Sequence, residues 1–369
     1  MSTSDARWMR LCLRAALRGR GRVSPNPMVG AAVVRGGRLV GIGHHALWGG
    51  PHAEAVALAR AGRRARGATL YVTLEPCAHV GKTPPCVDAV LGAGIRKVVV
   101  AMRDPHPLVE GKGIRALRRA GVGVVCGLLG DEARRLNEAY VTATTRGRPL
   151  VTLKAGMTLD GRIATVARAS RWITSAEARR EAHRMRATHD AVLIGIATAL
   201  RDRPRLTARW GARRQPRRVV LDSTLRLPPG APMLRAGGGG GVIVYAARDV
   251  RNRRSTLERK GAEVVVAGRG RGGVDLRKVL ADLVARGIHS LLVEGGSEIA
   301  WEFLRRRMVD RIALFVAPRI VGGRAAVPVV GGEGVRALDA AFRVRDLEAR
   351  PIGPDLLLTG RIAPRRGPG

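Results

Sequence analysis

Short apolar runs alternate with helix-like segments along the first third of the chain. The segment 31–43 reads AAVVRGGRLVGIG, two apolar runs on either side of Gly36-Gly37, which predicts a β-hairpin. The Ala- and Leu-rich segment 52–61 follows two glycines and a proline, residues that suit a helix start. The alternation continues with a predicted strand at 69–74, a helix near 87–91 and a strand at 97–102. This pattern predicts an α/β sandwich.

A second series of alternating elements follows the polar segment TTRGRP at 144–149. We therefore expect two domains, at 1–146 and 149–365. The pattern of the second domain predicts a largely parallel sheet covered by helices. Its predicted strands are 150–153, 191–194, 218–221, 242–245, 263–266, 290–293 and 312–316, and its predicted helices are 175–187, 275–286 and 297–306. The glycine run 237–241 is expected to form a flexible surface loop, because glycine carries a large entropic cost of ordering and has no side chain to pack.

Composition and charge narrow the possible partners. A length of 369 residues suits two domains, and 46% hydrophobic with 26% charged residues is typical of a folded chain. The net charge of +37 would suit nucleic-acid binding. However, the basic residues are almost all arginine and are scattered along the chain, which indicates a generally basic surface. We predict phosphorylated small molecules as partners, and no nucleic acid.

The N-terminal segment and the cysteines bear on location. Arginines interrupt the apolar residues of 1–22, so this segment lacks the core of a signal peptide, and an ordinary surface helix is favoured over a membrane-binding one. No segment approaches the ~18 apolar residues that a membrane span needs. The four cysteines are too few for a disulfide scaffold and indicate a reducing compartment or a metal site. We predict a cytoplasmic protein with no membrane partner.

Four residues of the first domain form a pattern with metal chemistry. His52 and Glu54 make a His-x-Glu pair, and Cys77, which follows Pro76, and Cys86 supply two potential thiolates. This combination is typical of zinc deaminases. Three protein ligands, His52, Cys77 and Cys86, leave one tetrahedral position for water, whose pKa zinc lowers toward about 7. We predict one zinc ion per chain, with Glu54 as the group that transfers protons.

The first domain resembles the deaminase half of the bifunctional riboflavin-biosynthesis deaminase/reductases. The matching segments are PNPMVG at 25–30, PHAE at 51–54, TLEPCAH at 73–79 and GKTPPC at 81–86. The eight residues between Cys77 and Cys86 distinguish it from relatives with a Cys-x-x-Cys pair, which act on cytidine or transfer RNA. The resemblance implies a cytidine-deaminase-like three-layer sandwich. It also implies substrate contacts from Asn26, His45, His79 and Lys82.

The second domain contains a candidate phosphate site. The segment 290–301, SLLVEGGSEIAW, reads as a strand, a turn and a helix. Gly295 and Gly296 would let the backbone approach a ligand, Ser297 would cap the helix, and the helix N-terminus would attract a phosphate. Two glycines at a strand end are also compatible with an ordinary turn.

This domain resembles the reductase half of the same family, which implies a dihydrofolate-reductase-like α/β fold. The matching segments are KAGMTLDG at 154–161, SRWITS at 170–175, DRPRLTAR at 202–209 and APRIVGG at 317–323. The resemblance implies NADPH contacts from Gly156, Trp172, Thr198, Asp202, Ser223, Gly296, Ser297, Glu298, Ile299, Ala300, Trp301 and Glu302. It implies substrate contacts from Lys154, Ser170, Arg186, Leu206, Arg209 and Glu294. Because a guanidinium offers a planar fork of donors, Arg186 and Arg209 are expected to clamp a phosphate.

The resemblance implies two successive reactions. The first is hydrolytic deamination of 2,5-diamino-6-ribosylamino-4(3H)-pyrimidinone 5′-phosphate, and the second is NADPH-dependent reduction of the ribosyl group to ribityl. We also expect a homo-oligomer. Two alternatives stay open: a nucleotide or transfer-RNA base deaminase fused to an unrelated nucleotide-binding module, and an RNA-binding protein with a structural zinc.

Overall fold

The computed structural model describes residues 3–78, 84–209, 214–237, 239–270 and 272–364. The chain divides into two compact units, Met1–Arg148 and Pro149–Gly369. Each unit has its own sheet and its own apolar core. Within the described residues, no helix has the length and apolar character needed to cross a bilayer.

The first unit is built on a five-stranded sheet with the order β2-β1-β3-β4-β5. Strand β1 is antiparallel to both of its neighbours, whereas β3, β4 and β5 are parallel to one another. Its elements are α1 (Thr3–Ala16), β1 (Gly30–Arg35), β2 (Arg38–His44), α2 (Ala53–Ala61), β3 (Thr69–Leu74), α3 (Cys86–Gly92), β4 (Lys97–Met102), α4 (Lys112–Arg119), β5 (Gly123–Cys126), α5 (Gly130–Leu136) and α6 (Glu138–Arg146).

Helices cover both faces of this sheet. Gly30 of β1 lies against the backbone of α1, whereas Gly43 of β2 lies against the backbone of α2. Because Gly43 pairs with Ala31, the residue next to Gly30, the two glycines face opposite sides of the sheet. Helix α5 lies beside α1, and α3 and α4 continue the layer of α2. The predicted three-layer sandwich is confirmed.

The second unit is built on a nine-stranded sheet with the order β11-β10-β9-β8-β14-β6-β15-β18-β17. Its strands are β6 (Leu150–Thr158), β7 (Arg162–Ala164), β8 (Ala191–Gly195), β9 (Arg217–Leu221), β10 (Val242–Ala246), β11 (Ala262–Val266), β12 (Arg269–Gly270), β13 (Gly273–Val274), β14 (Ser290–Val293), β15 (Arg311–Ala317), β16 (Val327–Pro328), β17 (Val344–Ile352) and β18 (Asp355–Ile362). Its helices are α7 (Ala176–Thr188), α8 (Ile196–Asp202), α9 (Pro232–Arg235), α10 (Arg251–Arg259), α11 (Leu276–Ala285) and α12 (Ser297–Arg305).

The predicted parallel, helix-covered sheet is confirmed for seven neighbouring strands, which lie in the order β11, β10, β9, β8, β14, β6 and β15. Strand β8 shows why these strands read as continuous apolar runs. Its residues Ala191 and Leu193 belong to one core, and Val192 and Ile194 belong to another on the opposite face.

The hairpin of β17 and β18 and the glycine run differ from the sequence-based expectation. The antiparallel hairpin of β17 and β18 was not predicted, because β17 is exposed at every residue except Ile352 and shows no apolar alternation. The glycine run also does more than form a loop. A side chain at Gly240 would lie 2.2 Å from the carbonyl oxygen of Pro216, and Arg218 donates a hydrogen bond to the carbonyl of Gly241. The prediction of a flexible surface loop was therefore wrong at Gly240, which is buried.

Candidate metal centre and cofactor cleft

The three predicted metal ligands meet at one end of the first sheet. His52 directly precedes α2, Cys86 is the first residue of α3, and Cys77 follows β3. The Nδ1 atom of His52 lies 3.1 Å from Sγ of Cys86 and 3.6 Å from Sγ of Cys77. The three ligand atoms lie within 4.8 Å of one another. Such spacings suit a tetrahedral zinc ion, whose Zn–N and Zn–S bonds are about 2.0 and 2.3 Å long.

Neighbouring groups favour the thiolate form of Cys77, whereas the hydrogen bond to Cys77 and burial raise the pKa of Cys86. The backbone N–H of Cys86 donates to Sγ of Cys77 at 3.4 Å. Hydrogen bonds from Cys86 and His52 lower the pKa of the Cys77 thiol, although burial opposes this effect. Because thiolates are the form that binds metals, one imidazole and two cysteines in this arrangement fit zinc.

Glu54 lies in the first turn of α2 and is only 4% exposed. Burial raises the pKa of its carboxyl to about 7. Its side chain is hydrogen-bonded to Cys86, yet it does not belong to the group of ligand atoms. The carboxyl group therefore lies beside the candidate metal centre without completing it.

Two predicted substrate residues lie beside the same centre. The buried ring of His45 packs edge-on against the ring of His52, with 5.5 Å between the ring centroids. Its Nδ1 lies 3.0 Å from the carbonyl oxygen of Pro51, which can only accept, so Nδ1 carries the proton. Nε2 then accepts a hydrogen bond from Nδ2 of Asn26 at 3.2 Å. This chain of contacts assigns the orientation of the Asn26 amide. His79 and Lys82 lie outside the described residues.

All six residues predicted to contact the second substrate line one cavity of about 740 Å³ in the second unit, here called the Lys154 cavity. Five of the predicted cofactor residues line it too: Gly156, Trp172, Thr198, Asp202 and Gly296. His183, which lies in no recognisable sequence motif, also lines it. Burial and the charges of Arg186 and Arg209 lower the pKa of His183 to about 4, so its imidazole is neutral near pH 7.

A cluster of charged side chains forms one wall of the Lys154 cavity. Arg186 donates two hydrogen bonds to the carboxylate of Glu294, both 2.7 Å long. Nζ of Lys154 lies 3.8 Å from the same carboxylate. Although burial acts to raise the pKa of Glu294, the two cations outweigh it and hold this pKa at about 2. Burial lowers the pKa of Lys154.

Arg186 is held in place by contacts within the second unit. Its guanidinium donates to both oxygens of Glu294 and, at 3.2 Å, to the carbonyl of Thr207. These bonds use three of its five N–H donors, and they fix the carboxylate of Glu294. A phosphate contact by Arg186 or Arg209 stays a prediction.

A second cavity of about 650 Å³, here called the Ser223 cavity, adjoins the first, because Thr198, Arg201 and Gly296 line both. The predicted cofactor residues Ser223, Ser297, Glu298, Ile299 and Glu302 line it. Ten of the twelve residues predicted to bind the cofactor therefore line one of two neighbouring cavities.

The N-terminus of α12 fits a phosphate group. The hydroxyl of Ser297 is buried and has no hydrogen-bond partner among the described residues. The predicted cap was wrong, because Gly296 is the N-cap and the Ser297 side chain does not cap the helix. A side chain at Gly331 would lie 2.5 Å from Oγ of Ser297, so glycine keeps this space open. An unpaired buried hydroxyl at a helix N-terminus suits an anionic ligand.

Two of the predicted cofactor residues line neither cavity. Ala300 is buried in the apolar core, and the ring of Trp301 packs against Phe342, with 6.3 Å between their centroids. Ala300 lies on the face of α12 that turns toward the core, whereas Trp301, one turn after Ser297, lies beside Gly332 with its ring packed on Phe342. They contribute to packing.

Comparisons with known proteins cover both units. Residues 2–102 match the cytidine and deoxycytidylate deaminase zinc-binding region, and residues 149–358 match the RibD C-terminal domain. The riboflavin biosynthesis protein RibD of Aquifex aeolicus is 41% identical over 96% of this chain and 97% of its own length. The chain belongs to the RibD family. The RibD of Escherichia coli is 38% identical over 96% of this chain and 98% of its own length.

Solved structures of RibD proteins have the same fold. Acinetobacter baumannii RibD, at 35% identity, covers 98% of this chain and 99% of its own, with a TM-score of 0.89. A diaminohydroxyphosphoribosylaminopyrimidine deaminase/5-amino-6-(5-phosphoribosylamino)uracil reductase from Thermotoga maritima, at 36% identity, covers the same shares with a TM-score of 0.84. The predicted family and fold class are confirmed. Since RibD relatives align with both units, the alternative of an unrelated second module is wrong.

Proposed function

We propose that the first domain, residues 1–146, hydrolytically removes the 2-amino group of 2,5-diamino-6-ribosylamino-4(3H)-pyrimidinone 5′-phosphate. The second domain, residues 149–365, then reduces the ribosyl group of 5-amino-6-(5-phosphoribosylamino)uracil to ribityl with NADPH. The observation that carries this proposal is the meeting of His52, Cys77 and Cys86 beside the buried Glu54 in a chain of the RibD family.

In the deamination, the chain supplies ligands, a proton carrier and contacts for the ring. His52, Cys77 and Cys86 would hold a zinc ion, which would act as a Lewis acid and lower the pKa of a bound water toward about 7. Glu54 takes a proton from the attacking water as the oxygen of that water bonds to C2 of the ring, and it passes this proton to the ring nitrogen. The carboxylate then transfers the remaining hydroxyl proton to the amino group as the bond between C2 and that group breaks, so that ammonia leaves and a carbonyl forms at C2. Asn26 and His45 orient the ring.

In the reduction, NADPH would supply a hydride to C1 of the sugar; the bond between C1 and the ring oxygen breaks, and that oxygen takes up a proton. The chain binds both molecules in the adjoining Lys154 and Ser223 cavities, which brings the reacting atoms together and excludes water. Lys154, held by Glu294, offers donors to the sugar, and Arg209 contacts the phosphate. The N-terminus of α12 holds a cofactor phosphate beside Ser297.

Removal of the metal should separate the two activities. We expect dialysis against a chelator to reduce ammonia release to background, because the open coordination position is lost, and to leave the reduction of 5-amino-6-(5-phosphoribosylamino)uracil unchanged. Ammonia release, NADPH oxidation and zinc content are measured before and after chelation and after zinc is restored. Full ammonia release by zinc-free protein would contradict the assignment of the metal centre.

The phosphorylated pyrimidine substrates follow from the proposed reactions. The homo-oligomeric state, the absence of a nucleic-acid partner and the cytoplasmic location stay predictions from the sequence. Size-exclusion chromatography with light scattering measures the first of these directly.

A further inference from the structure

Glu75 is a buried carboxylate two residues before the metal ligand Cys77. It is 3% exposed and follows β3. Its Oε2 accepts hydrogen bonds from the backbone N–H groups of Asp104, at 3.3 Å, and Gly111, at 3.0 Å. Its Oε1 accepts from the N–H of Ile114 at 3.0 Å. One side chain therefore holds three backbone donors of the segment 104–114, none of which is near it in sequence.

These contacts make Glu75 the acceptor for backbone N–H groups at the N-terminus of α4. The first N–H groups of a helix have no partner within the helix and need an acceptor from elsewhere. The residue at the N-cap position of α4 is Gly111, which has no side chain, and the first turn contains no acidic residue. Glu75 supplies both the missing acceptor and a negative charge at the positive end of the helix dipole.

The capped turn lies directly on the peptide that carries the metal ligand. A side chain at Gly113, in the first turn of α4, would lie 1.9 Å from the carbonyl oxygen of Pro76. On the other side of the ligand, the carbonyl of Cys77 accepts a hydrogen bond from the N–H of Val87 in α3 at 3.2 Å. Cys77 therefore lies between α3 and α4. The hydrogen bonds from α4 to Glu75 keep the first turn of that helix close to the Pro76-Cys77 peptide.

We propose that Glu75 is a positioning residue of the metal centre. From the end of β3, Glu75 accepts hydrogen bonds from the N-terminus of α4. It thereby holds the first turn of that helix against the Pro76-Cys77 peptide and fixes the position of the Cys77 sulfur. The inference rests on the proposed function of His52, Cys77 and Cys86 as zinc ligands. Loss of groups that hold metal ligands in place commonly lowers metal affinity about 10- to 100-fold.

The test replaces Glu75 by glutamine in the full chain. E75Q keeps the shape of the side chain but removes its charge and replaces one acceptor by an NH₂ group that faces backbone donors. We expect the affinity for zinc, measured by competition with a chromophoric chelator, to fall about 10- to 100-fold. The thiolate charge-transfer bands of the cobalt-substituted protein should also change. The control is D5N, which removes a carboxylate that accepts from the hydroxyl of Tyr71 at 2.6 Å on the opposite face of the sheet.

A double variant separates positioning from general stability. Lys112 is exposed in the first turn of α4, so E75Q/K112E restores a negative charge to that helix end. The double variant should recover the melting temperature of the first unit and keep the weakened zinc affinity. If zinc affinity returns together with stability, Glu75 acts through stability alone and the proposal is overturned. Zinc affinity of E75Q within twofold of the unaltered chain would overturn it as well.

A third variant covers the case in which E75Q does not fold. G113A leaves Glu75 intact and places a methyl group against the carbonyl of Pro76. It should weaken zinc binding in the same way, and unchanged affinity would overturn the proposal. If the unaltered chain itself binds no zinc, the proposed metal centre fails instead, so the two failures are distinguishable.

Discussion

Replacement of Glu54 by glutamine should lower the turnover number for ammonia release by a factor of about 10² to 10⁴, the range typical of general acid–base catalysis. Glutamine keeps the size of the side chain but cannot take up a proton from water and pass it on. Because Glu54 lies beside the ligand atoms and is not one of them, the variant should still bind zinc. Steady-state ammonia release, zinc content and NADPH oxidation are measured on the same preparation.

The matched control is E132Q, which makes the same change at an exposed position of α5 in the same unit. It should retain full ammonia release. If E54Q keeps more than a tenth of the normal turnover number, Glu54 is not the proton carrier. If E54Q loses zinc, it acts as a ligand, and the two roles are thereby distinguished.

Replacement of Glu294 by glutamine should lower the free energy of unfolding of the second unit by about 3 to 5 kcal/mol, because removal of one partner leaves buried cations uncompensated. Arg186 and Lys154 would then face each other without the carboxylate that holds them. The reductase activity should be lost too, since both side chains line the Lys154 cavity. Denaturant unfolding with a probe in the second unit measures the first effect, and NADPH oxidation measures the second.

The carboxylate of Glu294 should make the free energy of unfolding of the second unit depend on pH. The folded-state pKa of Glu294 is about 2, well below its ordinary value of 4.5. Its contribution is therefore fully present above about pH 4.5 and is lost as the pH falls toward 2. E294Q should lack this component of the acid-induced loss of stability. The control E258Q removes an exposed carboxylate of α10 that pairs with Arg254, and a stability loss in E294Q no larger than in E258Q would contradict this account.

The elements predicted correctly from the sequence share a physical signal. The bounds of β3, β4 and β14 agree with the predicted strands, because each is an apolar run that is buried on both faces. The hairpin of β1 and β2 was predictable because Gly36 and Gly37 both adopt positive φ, at 55° and 72°. Helix α10 was not predicted, since Leu257 is its only buried residue and its sequence has no apolar stripe.

The metal centre was more predictable than the cofactor cleft. Imidazole, thiolate and carboxylate groups specify metal chemistry by type, so His52, Cys77 and Cys86 could be recognised before their positions were known. The partnership of Lys154 and Glu294 depends instead on strand register, since β6 and β14 pair Leu153 with Val293. No local pattern contains that information.

Glu75 shows the same limit within the first unit. The sequence places it in the segment that carries Cys77, yet its three backbone partners lie 29 to 39 residues away. A contact between a side chain and distant backbone donors cannot be predicted from residue type or periodicity. Only the packing of α4 on the end of β3 makes its role apparent.

A single chain should perform both reactions in sequence. The most direct test supplies the purified chain with zinc, NADPH and 2,5-diamino-6-ribosylamino-4(3H)-pyrimidinone 5′-phosphate and follows ammonia release and NADPH oxidation together. We predict equal final amounts of both, with ammonia appearing first and no NADPH oxidation in the zinc-free protein until deaminated substrate is added. Ammonia release without NADPH oxidation, or NADPH oxidation with no ammonia released, would contradict the account.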